Sequence, residues 1–104
     1  MTEILYRNND QLIELVGLKD AATGSYINDA TVTVTLKDIE GNTVTGQAWP
    51  TPMLYVAASQ GDYQAILEDT LELTIGEFYV AEISVTKGTL KAFWELPMQA
   101  HKRT

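Results

Sequence analysis

The chain has no cysteine, a single histidine, and only seven lysines and arginines against fourteen aspartates and glutamates in 104 residues. Without thiols there is no disulfide to staple the fold, and no thiolate to bind zinc or act as a nucleophile. A zinc site would need carboxylates for almost every ligand. The lone His101 lies beside Lys102 and Arg103 at the C-terminal end, where a catalytic dyad would need a nucleophile held next to a chain end. No catalytic residue, metal site or cofactor is therefore expected, and the chain reads as non-enzymatic.

No run approaches the roughly 20 apolar residues that cross a bilayer, so no membrane association is expected. Met1, Thr2 and Glu3 lead into Ile4–Arg7 with no basic segment and no apolar run of signal-peptide length. With the missing cysteines, this favours synthesis in a reducing cytoplasm. The net charge is −7. A field of that sign repels phosphate backbones, and no basic stripe with interleaved aromatics is present, which argues against a nucleic-acid partner. The acidity serves solubility, or it attracts cations or a basic partner surface.

What the sequence does have is a period of two. Ala30 to Lys37 alternates apolar and polar, the pattern of a strand with one buried face. The same alternation returns at Tyr63–Leu67, Tyr79–Thr86 and Leu90–Met98. Ile4–Leu18 reads as a strand broken by Asn8, Asn9 and Asp10, its second piece apolar on both faces; a helix capped by Asp10 competes for that piece. Lys19–Asp29 is rich in turn formers, with Tyr26 and Ile27 able to tack an edge segment to the body. Asp38–Asn42 is a hairpin-type turn from which Thr43 and Val44 open the returning strand. Pro50 and Pro52 cannot donate ladder hydrogen bonds, so they mark a sheet switch or a protected edge, after which Leu54–Ala57 resumes as a strand. In the acidic loop Glu68–Thr74, Leu71 and Leu73 are the apolar anchors. About seven short strands with polar turns predict an all-β, antiparallel two-sheet sandwich. Residues 1–98 form a single domain, with 1–10 an arm or edge strand and 99–104 a basic tail. At this length a domain buries roughly 60 to 65% of its unfolded surface.

Four groupings could carry binding. The acids Asp38, Glu40, Asp62, Glu68, Asp69, Glu72 and Glu77 lack the spacing of a calcium loop and read as solvated loop residues. Trp49, Trp94, Tyr55, Tyr63 and Tyr79 could stack on a sugar, but Trp94 is in phase with Leu90, Ala92, Leu96 and Met98 and is expected in the core. The run Trp49, Pro50, Thr51, Pro52, Met53 is either core or an apolar partner contact. The tail of His101, Lys102 and Arg103 is either a solvated terminus or a docking arm for an acidic neighbour.

The run Leu73, Thr74, Ile75, Gly76, Glu77, Phe78, Tyr79 resembles the corner before the penultimate strand of immunoglobulin-like domains, where a tyrosine hydroxyl ties the loop to the strand. Tyr79 takes that place. Gly61–Ala65 looks like the strand opposite it. Taken whole, through Leu5–Asp10, Gly17–Gly24, Ile27–Val32 and Trp49–Pro50, the chain resembles small immunoglobulin-like virion proteins of tailed bacteriophages. That resemblance implies a subunit that decorates or stabilises a capsid, neck or tail by contact with other virion proteins, with a homo-oligomer as one form. Ile4, Tyr6, Trp49, Pro50, Pro52, Met53, His101, Lys102 and Arg103 are the expected interface residues. A carbohydrate or host-surface binding module is the alternative, and it requires an exposed aromatic pair in one concavity.

Overall fold

The computed structural model describes residues 3–102. Every element among them is a strand: β1 Glu3–Tyr6, β2 Gln11–Leu15, β3 Thr31–Asp38, β4 Thr51–Tyr55, β5 Tyr63–Leu67, β6 Phe78–Lys87 and β7 Leu90–His101. They form one continuous sheet in the order β1-β7-β6-β3-β4-β5-β2. All neighbours are antiparallel except β1 and β7, which run parallel from Glu3–Met98 to Tyr6–His101. The all-β expectation holds, but the sheet is mixed and continuous rather than purely antiparallel and divided. The parallel pair has a topological cause: the turn at Arg7–Asp10 carries the chain from one end of the sheet to the other, so β1 and β2 are its two outermost strands and never form a hairpin.

Asn8 supplies that turn, holding a positive φ of 62° that asparagine tolerates better than most residues. Gln11 then draws the two outermost strands together. Its side-chain carbonyl accepts the Tyr6 N–H at 2.9 Å and its side-chain NH₂ donates to the Ile4 carbonyl. The sheet is therefore curled almost into a barrel. The stretch Asp10–Leu18 forms a strand and no helix, because Leu12 and Ile13 alternate between solvent and core as β2 pairs with β5. Of the two apolar faces read in this piece, one is turned to solvent: Leu12 and Val16 are exposed, whereas Ile13 and Leu18 are buried.

The alternation seen in the sequence sets the inner face. Val32, Val34 and Leu36 of β3 lie opposite Val85, Ile83 and Ala81 of β6, and all six are buried. Tyr63, Ala65 and Leu67 of β5 join them with Leu5, Ile13, Met53, Met98 and Ala100, and Leu71 and Leu73 anchor their loop as expected. On the outer face Lys37 pairs with Glu82 at 2.9 Å. The hairpin after β3 is shorter than expected: Thr43 makes only an isolated bridge to Lys37, and Val44 is buried without forming a strand.

Polar groups reach this interior only where they are bonded. The Tyr63 hydroxyl donates to the Ile27 carbonyl at 2.8 Å and accepts the Ala30 N–H at 3.1 Å, which fastens the long Lys19–Asp29 connection under the sheet. In place of an edge segment tacked to the body by Tyr26 and Ile27, the connection bridges to itself between Lys19 and Tyr26. Gly61 completes the fastening. Its φ of +73° and the 2.6 Å that would separate a Cβ from the Leu18 nitrogen leave room for no side chain, and its carbonyl accepts the Leu18 N–H. At the other end, the Tyr79 hydroxyl accepts the Thr74 N–H at 2.8 Å, the tie expected of that tyrosine.

Replacing Tyr63 by Phe keeps the ring and strands both backbone partners in a buried site. The expected cost is about 2–4 kcal/mol in chemical denaturation, since an unsatisfied buried group costs roughly 1–3 kcal/mol. A loss under 0.5 kcal/mol, a value within the roughly ±0.5 of ordinary surface changes, would show that the hydroxyl does not hold the connection.

Candidate protein-contact surface

β4 belongs to two partners in turn. Thr51, Pro52 and Met53 pair with β3, whereas Leu54 and Tyr55 pair with β5. The Val56 N–H donates to the Asp62 carbonyl, so by the alternation of an antiparallel ladder the even-numbered residues of this strand direct their backbone groups toward β5. Continuing the register sets Pro52 opposite Ile66 with a ring nitrogen that carries no hydrogen. Gln47 fills the gap. Its side-chain NH₂ donates to the Ile66 carbonyl at 3.0 Å and to Thr51 Oγ1, and its carbonyl accepts the Glu68 N–H at 2.9 Å. Where the prolines predict a sheet switch or a protected edge, β4 changes its partner within one continuous sheet, and the strand begins at Thr51 and ends at Tyr55, correcting Leu54–Ala57. Pro52 lies inside the strand because its pairing with Thr33 on the other side does not need its nitrogen.

This handover leaves an apolar outer face. Leu12 and Ile66 are direct cross-strand neighbours, each 46% exposed, and Leu54 is 69% exposed. With Pro52 they surround a shallow depression of about 320 Å³, walled by Gln47, Thr51, Gln64 and Glu68. Three large aliphatic side chains turned to solvent on one sheet face form a surface that a partner can desolvate. Periodicity alone missed it, although Leu12, Leu54 and Ile66 are all out of phase with the buried residues of their strands.

The interface residues expected from sequence form no single surface: among those described, Tyr6 and His101 are register partners in the β1–β7 pair, whereas residues 49–53 lie at the start of β4. Pro52 borders the apolar face, and Pro50, joined to Trp49 by a cis peptide, is exposed. Met53 is 3% exposed and belongs to the core, because adjacent strand residues point to opposite faces. Trp49 is half-buried against the core, its indole N–H donating to the Val44 carbonyl at 2.6 Å. Ile4 and Tyr6 lie in β1 at an outermost strand, not in a free arm. His101 closes β7, its carbonyl accepting the Arg7 N–H, so the tail begins at Lys102 and not at Gln99. Lys102 is exposed, and Arg103 lies outside the described residues.

The aromatic set is dispersed as well. Tyr63 and Tyr79 are buried, and Tyr55 meets Tyr63 edge-on at 5.7 Å with its hydroxyl bonded to the Ser59 carbonyl. Trp94 reverses its expectation: it has the inward phase of Leu96 and Met98 but is 41% exposed. Two of the seven acids hold backbone N–H groups. Asp38 accepts the Glu40 and Asn42 N–H groups, and Asp62 accepts that of Gly17. Among the described residues no three acidic or histidine side chains are grouped to hold a metal ion. Lys87 beside Asp29 lowers that carboxyl below the usual range through a hydrogen bond, on a fully exposed site.

Comparison with protein-family models, curated proteins and solved structures finds no match.

Removing the Gln47 side chain in Gln47→Ala frees the Ile66 carbonyl and Glu68 N–H to solvent. Because the site is exposed, the stability loss should be about 1 kcal/mol, the net value of ordinary hydrogen bonds. Amide exchange at Glu68 should accelerate while that at Val34 stays slow. Unchanged exchange at Glu68 would show that the amide does not substitute for a strand.

Proposed function

We propose that this protein acts by protein–protein contact, as a non-enzymatic structural component of a tailed-bacteriophage particle that binds other virion subunits through the outer face of β2, β5 and β4. The observation that carries the contact reading is the exposed group Leu12, Leu54 and Ile66 around a shallow depression. Such a face suits a flat partner subunit better than an enclosed small ligand. The virion reading adds the resemblance quoted above and a net charge of −7, which keeps a surface with apolar content soluble before assembly.

We read the sheet further as an immunoglobulin-like sandwich. Three features support this. β2, β5 and β4 stand in the order of one immunoglobulin sheet and β3, β6 and β7 in that of the other. The changeover within β4 falls where the two layers would meet. The Tyr79 hydroxyl bond sits at the start of β6, where the tyrosine corner of such domains lies.

On this reading the protein co-sediments with purified phage particles from cells carrying its gene, through a density gradient. Its consistent absence from particles would refute the virion assignment. The surface is tested separately by Leu54→Asp, which should leave stability within about 0.5 kcal/mol because the residue is exposed, while reducing incorporation into particles at least about tenfold. Normal incorporation of a folded Leu54→Asp protein would move the contact elsewhere.

A further inference from the structure

β7 is longer than the strand that flanks it. β6 pairs with it from Leu90 to Gln99, but on its other side β1 meets only Met98 to His101. Among the described residues no strand lies along Leu90–Pro97 on that side. The direction of the free backbone groups follows from the ladder. The Ala100 N–H donates to Glu77 on the β6 side, whereas the His101 carbonyl accepts Arg7 on the β1 side. Alternation along the uninterrupted register points the N–H and C=O groups of Lys91, Phe93 and Glu95 at the open edge. Pro97 has the same outward parity, a position where its missing N–H costs no bond to β6.

Sheet edges are commonly protected by charge and proline. Here the charges are of opposite sign and stand two residues either side of Phe93, which is 55% exposed. We propose that this edge pairs with the same edge of a second copy of the chain, antiparallel, about a two-fold axis at Phe93. In that register Phe93 faces Phe93 of the second copy, and each Lys91 faces the other copy's Glu95. Each of these facing pairs exchanges two backbone hydrogen bonds. On the opposite face Ala92 meets Trp94 and Leu90 meets Leu96, so a small residue lies against the exposed indole.

Charge selects this register over its neighbours. An axis at Lys91 or at Glu95 sets like charges face to face. Moving it to Ala92 or Trp94 puts Phe93 opposite Lys91 or Glu95 and leaves no ion pair across the axis. A contact centred on Phe93 is self-complementary, as a closed two-fold interface requires. It does not depend on the virion reading, since the edge is separate from the outer face of β2, β5 and β4.

Sedimentation equilibrium of the full chain should show a species of twice the 11.5 kDa chain mass that dissociates on dilution. Lys91→Glu and Glu95→Lys should each weaken self-association at least about tenfold, because each sets like charges opposite one another. Mixing the two variants should restore a heterodimer, in which every 91–95 pair is again of opposite sign. Phe93→Cys, in a chain with no other cysteine, should form a disulfide-linked dimer far faster than Ile39→Cys, a turn position that is even more exposed. A strictly monomeric wild type overturns the proposal. So does a dimer indifferent to both charge reversals, or equal cross-linking at positions 93 and 39.

Discussion

Every backbone N–H and C=O along a strand needs a partner, and the organisation of this molecule follows from how that demand is met where strands run out. Two glutamines meet it in the same way. Each side-chain amide bridges the carbonyl of one residue and the N–H of the residue two further on: Ile4 and Tyr6 for Gln11, Ile66 and Glu68 for Gln47. A neighbouring strand would offer the same donor and acceptor. Gln11 stands in for one where the two outermost strands come together, and Gln47 where β4 leaves β5 for β3.

The handover in turn decides what faces outward. Because β4 changes partners at Met53 and Leu54, its N-terminal half continues the sheet of β3 and β6 while its C-terminal half lies beside β5. Met53 closes the core at this point, and Pro52 and Leu54 are left outside with Leu12 and Ile66. The apolar outer face is thus a consequence of the route of the chain. Tyrosine hydroxyls serve as polar ties within the interior: Tyr63 and Tyr79 each secure a loop from within, and their own polarity is satisfied by the backbone they hold.

The contrast between Trp94 and Met53 shows how far the pattern of residues could be read. Val32, Val34 and Leu36, or Tyr79, Ala81, Ile83 and Val85, declare a buried face by alternation, and the structure buries all of them. Trp94 has the same inward phase as Met98 and is nonetheless exposed, since phase fixes the side of a strand but not whether anything is packed against it. The run Trp49 to Met53 reads as one apolar patch because its residues are close in sequence. Strand geometry separates neighbours onto opposite faces, so that patch was never one surface. The true cluster joins residues 12, 54 and 66 through cross-strand register, a relation that sequence distance does not encode.

Local chemistry along the chain therefore determined the strands, most of their inward faces, the turns at Asn8 and Gly61, and the excess of negative charge. Each depends on a residue and its near neighbours. Only the tertiary structure decided that the strands form one curled mixed sheet, that Gln11 and Gln47 substitute for missing neighbours, and that among the described residues two thirds of one edge of β7 has no partner strand. Those are pairings between segments far apart in the chain, and their energies depend on which groups remain unsatisfied once every strand has been placed.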